Sequence, residues 1–103
     1  MDSLSALADP TRRRIVEALA ARTMSSGEIA GLFAITPPAV SQHLKTLKTA
    51  RLVQVRADGQ KRIYALDQAG IDEMSAWVAR IRQHWAPRLD ALEAQLKQED
   101  TRA

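Results

Sequence analysis

Two helix-start signals, eleven residues apart in the middle of the chain, constrain this sequence most. Ser25 precedes Glu28 at capping-box spacing, and Thr36-Pro37 places an N-cap before a proline at the first helical position. The first signal opens a helix of about two turns with Ile29, Leu32 and Phe33 as its apolar stripe. The second opens a helix that carries Val40, Leu44 and Leu47 at i, i+4 and i+7. Two helices joined by a turn of about three or four residues make a helix-turn-helix over 25–49.

The second helix presents an open polar face. With Val40, Leu44 and Leu47 inward, steps of about 100° point Pro38, Gln42, Lys45, Thr46 and Thr49 away from the core. Ser41 and Lys48 fall on one flank and His43 on the other. Thr36, Pro38, Ser41 and Gln42 occupy the end that enters a major groove first in motifs of this kind. Gln pairs bidentately with adenine, and Ser or Thr reaches base edges or phosphate, so Gln42 is the foremost base-reading candidate. Lys45 and Lys48 suit phosphates, and His43 joins the DNA-binding set from the other flank. Plainer roles stay open: a Ser41 hydroxyl bonded back to its own turn, solvated lysines, a half-buried His43.

Beyond Ala50 the apolar period drops from 3.6 to 2. Leu52, Val53 and Val55 lead into Asp58-Gly59, and Ile63, Tyr64 and Leu66 follow, which predicts a β-hairpin over 52–66. Arg56, Gln60, Lys61 and Arg62 gather round its tip, as a wing placed for phosphates or the adjacent minor groove. Between Thr36 and Leu66 stand six bases and one acid, a local charge of +5 within a chain whose net charge is +3. The flanking segments are neutral and acidic, so the basic segment is the footprint of a polyanion partner.

Asp9-Pro10 repeats the N-cap and proline signal, and the helix behind it puts Ile15, Val16 and Leu19 on one face. Leu4 and Leu7 form a short apolar piece ahead of that cap. From Ala69 to Asp100 runs one long helical pattern, with Ile71, Met74, Trp77, Val78, Ile81, Trp85, Leu89, Leu92 and Leu96 at nearly heptad steps. Pro87 is expected to kink it. Aromatic content is only 4%, so the core must come from Leu, Ile, Val and Ala. A stripe this long with two Trp exceeds what one small domain covers, which assigns 69–98 to dimerisation.

Composition removes other classes of function. There is no Cys, so thiolate metal sites and Cys nucleophiles are excluded, and His43 and His84 lie on different elements. No Gly-rich phosphate loop or nucleophile elbow is present, so no catalytic constellation assembles and neither an enzyme nor a cofactor is expected. No apolar run is long enough to span a membrane, and the N-terminus lacks a basic leader, so a cytoplasmic protein is expected. The chain is read as one domain over 1–103, mainly α with a small β-hairpin, a winged helix-turn-helix that pairs through its first and last helices. A protein-interaction module built on the terminal helix is the alternative.

In this order of elements the chain resembles the ArsR/SmtB family of bacterial winged-helix repressors. The residues that carry the resemblance are Leu4 to Arg14 (LSALADPTRRR), Glu28 to Leu32 (EIAGL), Pro38 to Leu47 (PAVSQHLKTL) and Gly59 to Leu66 (GQKRIYAL). The resemblance implies a homodimer that offers two reader helices and two wings to a palindromic operator, often near its own promoter. Metal sensors of the family place a Cys-x-Cys pair on the helix that here reads Glu28 to Phe33, or an Asp-x-His pair and a later His-x-x-Glu on the terminal helix. Neither set is present: aligned with that His, His84 is followed by Pro87 at the Glu position, and Ile71 and Glu73 fill the earlier pair. His84 with Asp72 or Glu73 of a second subunit is the one remaining metal combination, and a poor one. The chain is therefore more like the branch without metal ligands, whose effectors are often unknown. Any effector is expected at the dimer interface, near Leu4, Leu7, Trp77, Trp85 and Pro87.

Overall fold

The structure, a computed structural model, describes residues 3–102, with side chains over 3–99. The elements are α1 (Ser3–Ala6), α2 (Pro10–Ala21), β1 (Met24–Ser25), α3 (Ser26–Phe33), α4 (Pro37–Thr49), β2 (Val53–Asp58), β3 (Lys61–Leu66) and α5 (Gln68–Arg102). They divide into two compact units, Met1–Asp72 and Glu73–Ala103, with α5 starting in the first and supplying the second.

The three helix starts form as their residue types require. Asp9 accepts the Arg12 N–H at 2.9 Å, and Thr36 Oγ1 accepts that of Ala39 at 3.3 Å. Ser25 and Glu28 close the reciprocal box, at 3.2 Å from Glu28 N to Ser25 Oγ and 3.1 Å from Ser25 N to Glu28 Oε1. Each bond satisfies an N–H that the first turn of a helix leaves unpaired. Arg12 also donates from Nε to the Ala6 carbonyl at 2.6 Å, which ties the end of α1 to α2, and Ser3 Oγ reaches the Ala50 carbonyl at 3.4 Å.

The core of the first unit joins one residue set from each element. Ile15 and Leu19 from α2, Ile29 from α3 and Val40, Leu44 and Leu47 from α4 are buried, with Ala6, Met24, Ala50, Leu52, Val53 and Tyr64. Two residues depart from expectation. Leu32 is 59% exposed, because α3 ends at Ala34 in the left-handed region and the half-buried Phe33 and Ile35 take the inward side. Thr46 is half-buried, so the open face of α4 is narrower than its helical period implies.

The expected hairpin is part of a three-stranded antiparallel sheet in the order β1-β3-β2. The third strand is the two-residue β1, whose Met24 pairs with Tyr64 and Ser25 with Ile63. Asp58 pairs with Lys61, so the tight turn is Gly59-Gln60, one residue later than the Asp-Gly signal. Gly59 takes φ 63° at the first turn position, where a left-handed backbone favours glycine.

In the second unit α5 is helical through Pro87 without interruption. Trp77, Val78, Ile81, Trp85, Leu89, Leu92 and Leu96 are each between 38% and 60% exposed along it. The Arg88 guanidinium lies 5.1 Å from the Trp85 ring centroid, and the His84 ring meets Trp85 edge-on at 5.6 Å. No helix is long and apolar enough to cross a membrane among the described residues.

Candidate nucleic-acid interface

Three inward apolar side chains, Val40, Leu44 and Leu47, fix the roll of α4 about its axis. That roll leaves Thr36, Pro38, Ser41, Gln42, Lys45, Lys48 and Thr49 exposed, with Gln42 central to the open face. Two hydroxyls on this helix are already engaged: Thr36 caps the first turn, and Thr49 donates to the Lys45 carbonyl at 2.9 Å. Pro37 and Pro38 begin the helix without N–H groups to satisfy, so the end nearest Gln42 presents side chains rather than bare backbone donors.

His43 is set apart from this face. It is half-buried, and its Nδ1 is covered and has no hydrogen-bond partner among the described residues. The Asp9 carboxyl is held below the ordinary carboxylate range, first by the Arg12 N–H and then by the charges of Arg12 and His43.

Strand register divides the wing's cations between its two faces. Val55 stands opposite Tyr64 and Ala57 opposite Arg62, so Arg62 shares the face of Val55 and Tyr64. Arg56 stands opposite Ile63 and Asp58 opposite Lys61, which places Arg56 and Lys61 on the other face. Gln60 is exposed in the turn. On the first face, a cleft of about 430 Å³ separates the hairpin from α4 and the start of α3. It is lined by Ser26, Ser41, Leu44, Lys45, Lys48, Val55, Arg62 and Tyr64, three of them cationic and none acidic. Glu28, the acid in the first turn of α3, is taken up by Arg22 at 2.9 Å. That contact and the Ser25 N–H hold its carboxyl below the ordinary range.

Sequence reasoning thus placed Ser41, Lys45, Lys48 and Arg62 among the functional residues, and the structure brings these four to one cleft. Ser26 and Tyr64 line the same cleft without a sequence signal for it. Tyr64 reads in sequence as a strand core residue, and Ser26 as a position inside a capping box; only the cross-strand register puts them beside the cations. On the terminal helix, Trp77, Val78, Ile81, Trp85, Leu89 and Leu92 are exposed, Ile71 and Met74 half-buried. In the first unit Leu4 is exposed and Leu7 half-buried. Among the described residues no three His, Cys, Asp or Glu side chains come together as metal ligands would.

Residues 9–55 match the family model described as "Bacterial regulatory protein, arsR family". The chain is 56% identical over 66 residues to the HTH-type transcriptional regulator Rv2034 of Mycobacterium tuberculosis, a match covering 64% of this chain and 62% of that protein. It is 36% identical over 73 residues to the transcriptional repressor SdpR of Bacillus subtilis, covering 71% of this chain and 81% of the relative. Among solved structures, a possible transcriptional regulator for arsenical resistance superposes with a TM-score of 0.74 at 37% identity, covering 92% of this chain and 96% of that one. These relatives are transcriptional regulators rather than enzymes, and the match to the family model extends through the reader helix and into β2. On its residues, its architecture and these likenesses, the chain belongs to the arsR family of bacterial regulatory proteins.

Proposed function

We propose that this protein is a cytoplasmic, DNA-binding transcriptional repressor that works as a homodimer on an inverted-repeat operator. The observation that carries the reading is the exposed, acid-free face of α4 beside a hairpin with basic residues on both faces. In this account Gln42 and Ser41, with Thr36 and Pro38, read base edges, while Lys45, Lys48, Arg56, Lys61 and Arg62 neutralise phosphates and Gln60 follows the wing tip. His43, half-buried on the flank of α4, lies at the edge of this contact surface.

The second copy is argued from α5 and α1. Seven large apolar side chains exposed along one helix at nearly heptad steps match a partner with the same stripe, and Leu4 adds apolar surface. Isologous pairing there gives a two-fold axis, and two reader helices about 34–36 Å apart then suit half-sites one turn of DNA apart. The chain holds no Cys and only two His, which supports a repressor that does not sense metal, with any small effector acting at the paired helices.

Selection from a random duplex library tests this reading. The expected product is an inverted repeat with half-site centres about 10 bp apart, unchanged by zinc or by a chelator. Recovery of no motif, with the terminal helix capturing a defined protein instead, favours the interaction-module alternative.

A further inference from the structure

We propose that the corner at Ala50 and Arg51, where α4 ends, is the joint through which the paired helices set the spacing of the two reader helices, with Ser3, Arg12, Arg51 and Gly70 as its positioning residues. The joint rests on the homodimer reading, and it carries pairing to the helix that faces DNA.

Both elements assigned to pairing meet the reader helix at two successive carbonyls. The Ala50 carbonyl accepts the Ser3 hydroxyl of α1 at 3.4 Å. The Arg51 carbonyl lies so close to Gly70, in the first turn of α5, that a β-carbon there would overlap it. These carbonyls stand where the last turn of a helix leaves its acceptors without intrahelical partners.

The helix α1 is held at its other end as well. Its last residue, the fully buried Ala6, gives its carbonyl to Arg12 Nε at 2.6 Å, and the Arg12 N–H is taken by the Asp9 carboxylate at 2.9 Å. Arg12 thus fixes both sides of the turn between α1 and α2. A helix of four residues is too short to persist alone, and these two attachments make it a strut. Leu4 is exposed between them, so a partner that covers Leu4 acts on a segment tied to Ala50.

The corner is stiff for a backbone reason. Arg51 holds φ 63°, a left-handed conformation that a residue with a β-carbon keeps only where its surroundings impose it. Its N–H is bonded to the Lys48 carbonyl and that of Leu52 to the Leu47 carbonyl, both at 3.0 Å. Asp67 accepts the Gly70 N–H at 3.3 Å and sends its own N–H to the Leu52 carbonyl at 2.9 Å. A rotation of α1 or of the start of α5 is therefore not absorbed here and turns α4 with it, because closely packed elements move as units. Two tasks separate: Gln42 and its neighbours choose bases, and this corner chooses the distance between half-sites.

The test uses the full-length protein in two measurements. The chain has no Cys, so Gln42→Cys puts one spin label on each reader helix, and electron–electron double resonance reads the distance between them without DNA. The expected result is one narrow distribution. Adding Ser3→Ala, Arg12→Ala or Arg51→Gly broadens it and moves its centre while light scattering still reports a dimer. Glycine accepts φ 63° without strain, so Arg51→Gly frees the corner without opposing its native geometry. Ile29→Val, which removes one core methylene from α3, leaves the distribution unchanged. In the second measurement, unlabelled wild type and Arg51→Gly are titrated on the selected inverted repeat and on the same repeat with two base pairs inserted, which turns one half-site by about 70°. Wild type loses at least about tenfold on the inserted repeat, and Arg51→Gly loses far less. A distribution that Ser3→Ala and Arg51→Gly leave equally narrow and equally centred overturns the joint and leaves the repressor reading standing. Broadening by these variants in a dimer that binds no duplex supports the joint and removes the repressor reading. A labelled wild type that runs as a single chain removes the joint together with the homodimer.

Discussion

The carbonyl of Arg51 fills the space that a β-carbon on Gly70 would need. Arg51 turns the chain out of α4 at φ 63°, with its N–H bonded to the Lys48 carbonyl at 3.0 Å. Gly70 sits in the first turn of α5, where its N–H is bonded by Asp67 at 3.3 Å, and the Asp67 N–H in turn reaches the Leu52 carbonyl at 2.9 Å. The corner that leads from the reader helix into the wing is thus locked against the start of α5. Gly70→Ala forces that backbone apart and should cost about 1–3 kcal/mol in equilibrium unfolding. Gly31→Ala is the control, since nothing lies within 4 Å of its added methyl, and it should gain about 0.5–1 kcal/mol. Equal responses of the two variants contradict the close approach.

Base reading and phosphate contact separate by mutation. Gln42→Ala should lower affinity for operator DNA by about 1–3 kcal/mol and leave random DNA nearly unaffected. Lys61→Ala should weaken both and reduce the salt slope by about one per subunit. Anisotropy titrations on both duplexes check this, and equal losses for Gln42→Ala on the two remove it as the reader.

Acid should loosen the helix starts. The Asp9 and Glu28 carboxyls are both held below their ordinary range, Asp9 chiefly by the Arg12 N–H and Glu28 chiefly by Arg22. A carboxylate whose folded pKa is depressed contributes stability that is fully present above its unfolded value, about pH 4, and lost as pH falls through the folded value. Asp9→Asn keeps an N-cap acceptor without titrating, so it should sit within about 0.5 kcal/mol of wild type at pH 7 and lose less stability between about pH 5 and pH 2.5. Parallel pH profiles for the two proteins contradict this assignment.

Pairing through α5 is tested by charge. Trp85→Glu with Leu89→Glu places two carboxylates in the exposed apolar stripe. Light scattering should then report a single chain of 11.4 kDa where wild type gives twice that, while the amide spectrum of Met1–Asp72 keeps its dispersion. A wild type that already runs as one chain contradicts the homodimer.

Local chemistry makes much of this architecture legible in the sequence. Asp9-Pro10, Ser25 with Glu28 and Thr36-Pro37 each carry their own acceptor and first-turn residue, so the helix starts needed no tertiary information. The step from helical to alternating spacing after Ala50 located the wing for the same reason. What escaped the sequence depends on distant pairing. Met24 and Ser25 show no strand period in two residues and become β1 only because Tyr64 and Ile63 lie beside them. Leu32 fits the helical stripe of α3 but is exposed, since the left-handed Ala34 ends the helix and lets Ile35 turn inward. The opposed facing of Arg62 and Lys61, adjacent in sequence, follows from strand pleat once the turn is fixed at Gly59-Gln60, one residue beyond the sequence signal. The cleft that holds Ser26 and Tyr64 was invisible for that reason.

The most direct test of the central claim is an anisotropy titration of the purified protein on its own upstream DNA against a scrambled duplex, across a salt series, with and without a strong chelator. The account predicts dimeric binding that prefers the upstream sequence, weakens steeply with salt and ignores the chelator. Binding that is absent, or equal on both duplexes at every salt concentration, contradicts it.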